Sequence, residues 1–338
     1  MTIIVLFGGT PGAHGQDSAG KEVVAGKEVV QNLDKNPVLL PTEPPRPKFL
    51  ISAQVDYSWV GNADFNDLNA NTKNSRGQNF TQGHVGEQDI RGQLDLSVPL
   101  NDSLSLTVGG SYQGLFFNLP KVKPGTKPMI PLRSQLEEME LEVGLRYRYS
   151  DKLTLFAGVS GRLASDFVDV TSNALGIGGK FGLRYAPHGD DSLYFILGIG
   201  AETNSLNMVL PVVGLHWEPN ERWTFNLIIP KPEIDFHLNP RVTLFVSGED
   251  VGGTFRVGRQ VGTNSLGPNV GSKKFNNALL DYSEFRAGAG VRLKLFKNVI
   301  LQTEAGTTLS RTFDYVRFGQ QTTLKNAPFV ETSVKISF

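Results

Sequence analysis

Apolar and polar side chains alternate one for one, block after block, between Lys48 and Phe338. Ile51, Ala53, Val55, Tyr57 and Trp59 fall on one face of a strand and Ser52, Gln54, Asp56 and Ser58 on the other, because successive side chains of an extended chain point to opposite sides. The clearest block is Glu138 to Tyr149, where Met139, Leu141, Val143, Leu145, Tyr147 and Tyr149 oppose Glu138, Glu140, Glu142, Arg146 and Arg148. A helix would gather residues three and four apart, and here the period stays at two, so the glutamate-rich start is predicted as strand. Similar blocks run from Ile90 to Val98, Leu104 to Phe116, Leu153 to Leu163, Leu175 to Tyr185, Leu193 to Ala201 and Val209 to Trp217. Others span Trp223 to Ile229, Ile234 to Leu238, Val242 to Gly248, Phe285 to Leu295 and Val299 to Leu309. The last block, Phe329 to Phe338, sets Val330, Thr332, Val334, Ile336 and Phe338 against Glu331, Ser333, Lys335 and Ser337. Together they predict about fourteen strands, within a range of roughly 12 to 14.

The links carry a second pattern. Short ones at Leu100 to Asp102, Ser150 to Asp151, Pro187 to Asp191, Glu218 to Glu221, Asn239 to Pro240 and Phe296 to Lys297 alternate with a second set, most of it longer and more polar. The longer set includes Gly61 to Gly86, Leu119 to Arg133, Ser165 to Asn173, Glu249 to Leu280 and Ser310 to Lys325. Tight turns at one end and long loops at the other are expected of a transmembrane antiparallel up-and-down β-barrel with periplasmic turns and extracellular loops. Tyr147, Tyr149, Tyr185, Trp217, Trp223 and Phe338 lie on the apolar faces at strand ends beside the short turns, where a periplasmic aromatic girdle would stand. A β-sandwich would bury such residues between its sheets and would rarely collect them at one end.

Composition adjusts this picture only slightly. The hydrophobic fraction of 39% and the mean hydropathy of −0.17 suit strands that show only alternate residues to lipid, and no apolar run approaches the length of a transmembrane helix. There are 33 basic and 33 acidic residues and no cysteine, so neither a basic nucleic-acid surface nor a thiolate metal site is expected. Ile3 to Phe7 followed by Gly8, Gly9, Pro11 and Gly12 reads as the end of a secretory signal over residues 1–15, though without a positive start. Residues 16–47, with Pro37, Pro41, Pro44, Pro45 and Pro47, read as a disordered Pro/Lys-rich periplasmic linker ahead of a barrel over 48–338.

The closing strand with its terminal aromatic resembles the last strand of bacterial outer-membrane barrels. The run from Trp223 to Val257, containing L-I-I-P-K-P-E-I-D-F-H-L-N-P-R-V-T-L-F and then G-G-T-F-R-V, resembles an uncharacterised family of such barrels known only as a domain of unknown function. The resemblance implies a fold and a bacterial outer-membrane location, with no catalytic residues to transfer.

Candidate chemistry is sparse. Gly15 to Lys21 has the spacing of a phosphate-binding loop, but Glu22 stands where a Ser or Thr would hold magnesium. His216 and His237 lie on polar faces beside Glu218 and Asp235 and are read as hydrogen-bonded fillers, so no enzyme, cofactor or metal is expected. The stronger feature is a charged inner face. Asp56, Asp89, Arg91 and Asp95 would line the lumen from the first two strands, and Glu138, Glu140, Glu142, Arg146 and Arg148 from the fourth. Arg162, Lys180 and Arg184 would follow, then Glu284, Arg286, Arg292, Lys294 and Glu304. The loop from Glu249 to Leu280 is a candidate constriction carrying Arg256 and Arg259, or equally an extracellular hairpin.

These features lead to a porin-like passive channel for small polar solutes, with an aqueous interior tuned by the mixed charges. A non-conducting structural or surface-interaction barrel and a transporter of hydrophobic substrates stand as alternatives. The expected partners are outer-membrane lipid and the barrel-assembly machinery, which would engage the C-terminal strand; the oligomeric state is left open.

Overall fold

The computed structural model describes residues 49–65, 84–119, 132–168, 170–205, 209–258, 277–316 and 320–338. The proposed signal and linker, the Gly15 to Lys21 loop, Arg259 and most of the loop from Gly61 to Gly86 lie outside them.

The first half of the sheet comprises β1 (Leu50–Asp64), β2 (His84–Pro99), β3 (Leu104–Asn118), β4 (Gln135–Arg148), β5 (Leu153–Ser165), β6 (Leu175–Tyr185) and β7 (Leu193–Glu202). The second comprises β8 (Val209–Asn220), β9 (Trp223–Ile228), β10 (Glu233–Asn239), β11 (Val242–Arg256), β12 (Leu279–Phe296), β13 (Val299–Tyr315), β14 (Gln320–Leu324) and β15 (Pro328–Ser337). Each strand from β1 to β13 runs antiparallel to the next, and the ring closes where β1 pairs with β15 from Ser52↔Ser337 to Val60↔Phe329. β14 and β15 are two halves of one stave. Both pair with β13, and the register from Tyr315↔Gln320 to Arg311↔Leu324 resumes unchanged at Thr307↔Pro328. At the break, Ala327 and Thr308 exchange hydrogen bonds of 2.8 Å through backbone and hydroxyl. The barrel thus has fourteen staves, as the alternation predicts.

The polarity of the two faces is inverted relative to a soluble protein. Leu141, Val159 and Ile177 point outward at 61%, 64% and 71% exposure, while Arg286, Arg311 and Glu284 inside are at 1% or less. A closed ring leaves no open sheet edge over most of its circumference, and an apolar outer belt places it in lipid. The short turns are built on asparagine. The Oδ1 of Asn101 accepts from the N–H of Ser103 and Leu104 at 2.9 and 2.8 Å, and Asn239 does the same for Arg241 and Val242 at 2.9 and 3.0 Å.

Strands outrun their sequence-predicted ends at the outer side. Both segments taken as loop, Glu249 to Leu280 and Ser310 to Lys325, contain strand at their ends: β11 continues to Arg256, β12 begins at Leu279, β13 reaches Tyr315 and β14 follows. Two physical causes hide them. Val251 to Phe255 are buried on both faces, so no alternation marks them. In β13 an extra residue, Leu309, lies between Thr308↔Arg286 and Ser310↔Phe285, and this bulge flips the facing of every residue beyond it.

Candidate functional site: a layered interior beside a gap in the wall

Along the inward positions of several strands, the same three layers recur from the outer end to the periplasmic end. On β12 they read Leu280 and Tyr282, then Glu284 and Arg286, then Arg292; on β2 they read Val85, then Glu87 to Arg91, then Gln93 and Asp95. The top is apolar, the middle charged, the bottom polar and wetter.

The apolar layer forms because the outer ends of β11 and β12 bend inward over the lumen while staying laddered to each other and to β13. Gly252 permits this: its φ is +134°, and a Cβ there would stand 2.1 Å from the Tyr282 carbonyl oxygen. Arg256 then pairs with Ser165 of β5, almost diametrically across the ring. The Asp166 carboxylate holds the crossing segment, accepting from the Gly258 N–H at 3.0 Å and forming an ion pair with Arg133 Nε at 2.7 Å. Arg256 donates to the backbone oxygens of Asn173 and Asn277 at 3.3 and 2.9 Å. Phe255, Val257 and Leu280 pack onto Leu115, Leu136, Ala164 and Phe329 of the wall, and Phe117 meets Tyr282 and Phe313 edge-on at 5.2 and 5.1 Å.

Beneath lies the charged layer. Arg286 bridges Glu284, Glu87 and Asp89, and Arg311 reaches Glu87 and Glu284, each at 2.7 Å. The Tyr282 hydroxyl sits between the Glu87 and Glu284 carboxylates. Arg91 joins Glu249 and Glu331, which Lys231 also contacts at 3.3 and 3.4 Å. These side chains come from β2, β11, β12, β13 and β15, on one arc of the ring, and from Lys231 ahead of β10, and along that arc they pair with one another in place of water. Sequence reading missed Glu87, Lys231, Glu249, Tyr282, Arg311 and Glu331. Glu331 already stood on the polar face of the closing block, whereas Arg311 lies beyond the β13 bulge and Glu249 and Lys231 fall in segments read as links.

The other residues read as lumen-lining form smaller groups. Arg162 pairs with Glu138 and, at 2.7 Å, with Glu202; Lys180 lies 2.7 Å from Glu142; Glu140 is half-buried on the same inner face. Arg292 meets Glu233 and Asp235 at 2.6 and 3.1 Å, and Glu304 accepts from the Ser247 hydroxyl. Asp56 and Asp95 accept from Gln54 and Gln93 at 2.9 and 2.8 Å. Arg184 contacts Asp191 and lies 4.1 Å over the Tyr194 ring, near the half-buried Arg146. Arg148 and Lys294 are exposed at the periplasmic rim. His216 stacks on Tyr194, and His237 sits between Thr224 and Thr243 at 3.0 and 2.9 Å. Arg256 belongs to the crossing strand itself. Tyr147, Tyr149, Tyr185, Trp217, Trp223 and Phe338 stand exposed beside the short turns.

One sector of the wall is incomplete. β9 and β10 have 6 and 7 residues, against 12 and 15 in the flanking β8 and β11. The β8–β9 ladder ends at Gly214↔Ile228, and on β11 the Asp250 N–H donates to Pro230 O at 3.2 Å. Above this level, among the described residues, Val209 to Val213 have ladder partners on β7 alone. Pro211, which has no N–H to leave unpaired, lies in this edge. Val209, Val213, Leu227 and Ile229 surround the gap on the outside, all exposed.

An inverted, closed, fourteen-stave barrel with these layers is an integral protein of the bacterial outer membrane. Within that class, residues 50–337 match the model of a domain of unknown function, DUF6268, and the chain belongs to this family. No curated protein matches it. Among solved structures it is similar to the Pseudomonas putida toluene transporter TodX, with 11% identity and a TM-score of 0.42 over 86% of this chain and 89% of that one. It is also similar to an outer-membrane channel from P. putida F1 (11% identity, TM-score 0.42, 87% and 97% covered) and to a Pseudomonas aeruginosa FadL homologue (11%, 0.36, 86% and 90%).

Proposed function

We propose that this barrel takes small apolar molecules from its outer mouth and releases them sideways into the membrane through the gap above the β9–β10 hairpin. The gap is the observation that carries this reading. The five residues of β8 that, among the described residues, lack a ladder partner on the β9 side correspond to roughly 16 Å of strand, enough for a molecule the size of a single aromatic ring. The gap adjoins the apolar layer through Val251 and Phe255 of β11, and its rim is apolar. An apolar solute that buries about 200 Å² gains about 5 kcal/mol on leaving water, and it keeps that gain on passing into lipid. Passage straight down would instead require parting the Arg286 and Arg311 pairs and leaving their charges unmatched. A hydrated ion meets the opposite obstacle, the apolar layer.

The structural-barrel alternative draws support from the packing of the charged layer, and one experiment separates the readings. Cells carrying the protein in their outer membrane should take up a radiolabelled small aromatic hydrocarbon several times faster than cells without it, while the refolded protein gives no steady conductance steps in a planar bilayer. Equal uptake by both cell types would favour the structural barrel. Steady steps would return the polar channel to first place.

A further inference from the structure

The bent end of β11 has two faces. Phe255 and Val257 belong to the apolar cluster, and Thr254 and Arg256, which alternate with them, line a small cavity shared with β5, β6 and β7. The cavity is partly open and measures about 10 Å³, the space of a single water-sized group. Arg162, Glu202 and Asn204 complete its polar wall, and Ala164, Ala174 and Leu279 supply an apolar one. Glu202 directly follows Ala201, the residue paired with Val209, so the cavity stands beside the outer end of the gap.

The donors and acceptors at this cavity do not balance. Arg162 is only 5% exposed, and its two terminal nitrogens are engaged: Nη1 with Glu202 at 2.7 Å, Nη2 with Glu138 and, at 3.4 Å, with the Thr254 carbonyl oxygen. Its Nε has no hydrogen-bond partner among the described residues. A buried N–H of a charged group is costly to leave without an acceptor, and an oxygen atom in the cavity would supply one. The Asn204 side chain does not fill that role, since its Nδ2 donates to the Asn173 and Leu175 carbonyl oxygens and its Oδ1 faces Arg256 at 3.4 Å. Glu202, which accepts from Arg162 through one oxygen, keeps lone pairs for a further donor. The formal charges around the cavity cancel, Arg162 and Arg256 against Glu138 and Glu202. An anion placed there would meet Glu202 and a cation would meet Arg162, so a neutral group fits best.

We propose that this cavity is the polar end of the solute site and that it takes a small neutral alcohol or phenol. The hydroxyl accepts from Arg162 Nε and donates to Glu202, and the apolar body lies against Leu210 and Val212, whose partners Gly200 and Gly198 on β7 carry no side chain. The inference rests on the sideways route and names what travels along it. A bare hydrocarbon follows the same path but leaves Nε unmatched, so the site prefers the oxygenated ring.

Equilibrium dialysis of radiolabelled ligands against the refolded full-length protein in detergent, with the uptake by micelles alone subtracted, tests this. Benzyl alcohol should bind about tenfold more tightly than toluene, the effect of one charge-assisted hydrogen bond, and about tenfold more tightly than benzoate or protonated benzylamine. Ala174→Leu fills the cavity, and Arg162→Lys keeps a cation for Glu138 and Glu202 but has no Nε–H. In each variant the preference for benzyl alcohol over toluene should disappear. Equal binding of the two ligands by the parent protein overturns the hydroxyl site, a water then being the cavity's occupant, and leaves the sideways route standing on hydrocarbon uptake by cells. A preference that survives both substitutions places the hydroxyl elsewhere and overturns the site as well, and tighter binding of benzoate overturns the neutral class. A preference lost in both variants, with neither toluene nor benzyl alcohol taken up by cells, overturns the route and keeps the site.

Discussion

Arg286 is the residue on which the interior balance turns. Its guanidinium faces Glu284, Glu87 and Asp89 with 1% of its side chain exposed, so removing it strands carboxylates in a space that water does not reach. Arg286→Ala is expected to lower unfolding stability in lipid or detergent by about 3–5 kcal/mol, as measured by denaturant titration. Tyr282→Phe removes only a hydroxyl between two carboxylates and should cost about 1–3 kcal/mol in the same assay. The charged inner face was legible in the alternation, which placed Asp89, Arg91, Glu284 and Arg286 together on it. Which charges meet was not, because Arg91 and Glu331 stand on strands distant in sequence and touch only after the ring closes.

At the scale of the element, the β11–β12 hairpin departs furthest from sequence expectation. Alternation reports a strand with one wet or lipid-facing side, and a strand buried on both faces produces no such signal. The five buried residues from Val251 to Phe255 were therefore read as loop, although the two possibilities for that stretch included an inward fold. The β13 bulge hid Arg311 for a different reason, by changing the phase rather than erasing it. Gly252→Ala tests the hairpin directly. A Cβ meets the Tyr282 carbonyl, and φ of +134° is strained for any L side chain, so the crossing position should lose about 1–3 kcal/mol relative to alternatives. The expected outcome is faster maleimide labelling of Ala164→Cys with the fourteen-stave ring intact by circular dichroism.

At the scale of the whole molecule, the short β9–β10 hairpin decides whether the wall is complete. Lengthening it with alternating valine and threonine, two residues on each strand, should supply the ladder that Val209 to Val213 lack. Hydrocarbon uptake should then fall to the level of cells without the protein, while thermal stability in detergent stays the same or rises. The strand count and inverted polarity were legible because they repeat around the ring. The gap was not, since a short hairpin reads as weak strand wherever it occurs.

The seam between β1 and β15 has a consequence for assembly. Apart from the single pairs Arg256↔Ser165 and Phe65↔Leu324, the other ladders among the described residues join neighbouring staves along the chain and can zip locally, but this one joins residues near 55 to residues near 334, a closure that comes late because its loop is the longest. Glu331 arrives with that final strand and supplies a partner for Arg91 and Lys231. Until then those cations face a half-built cylinder lacking one of their acids. A misregistered closing strand would turn Glu331 toward lipid and leave them so, and electrostatics thereby proofreads the last step of folding.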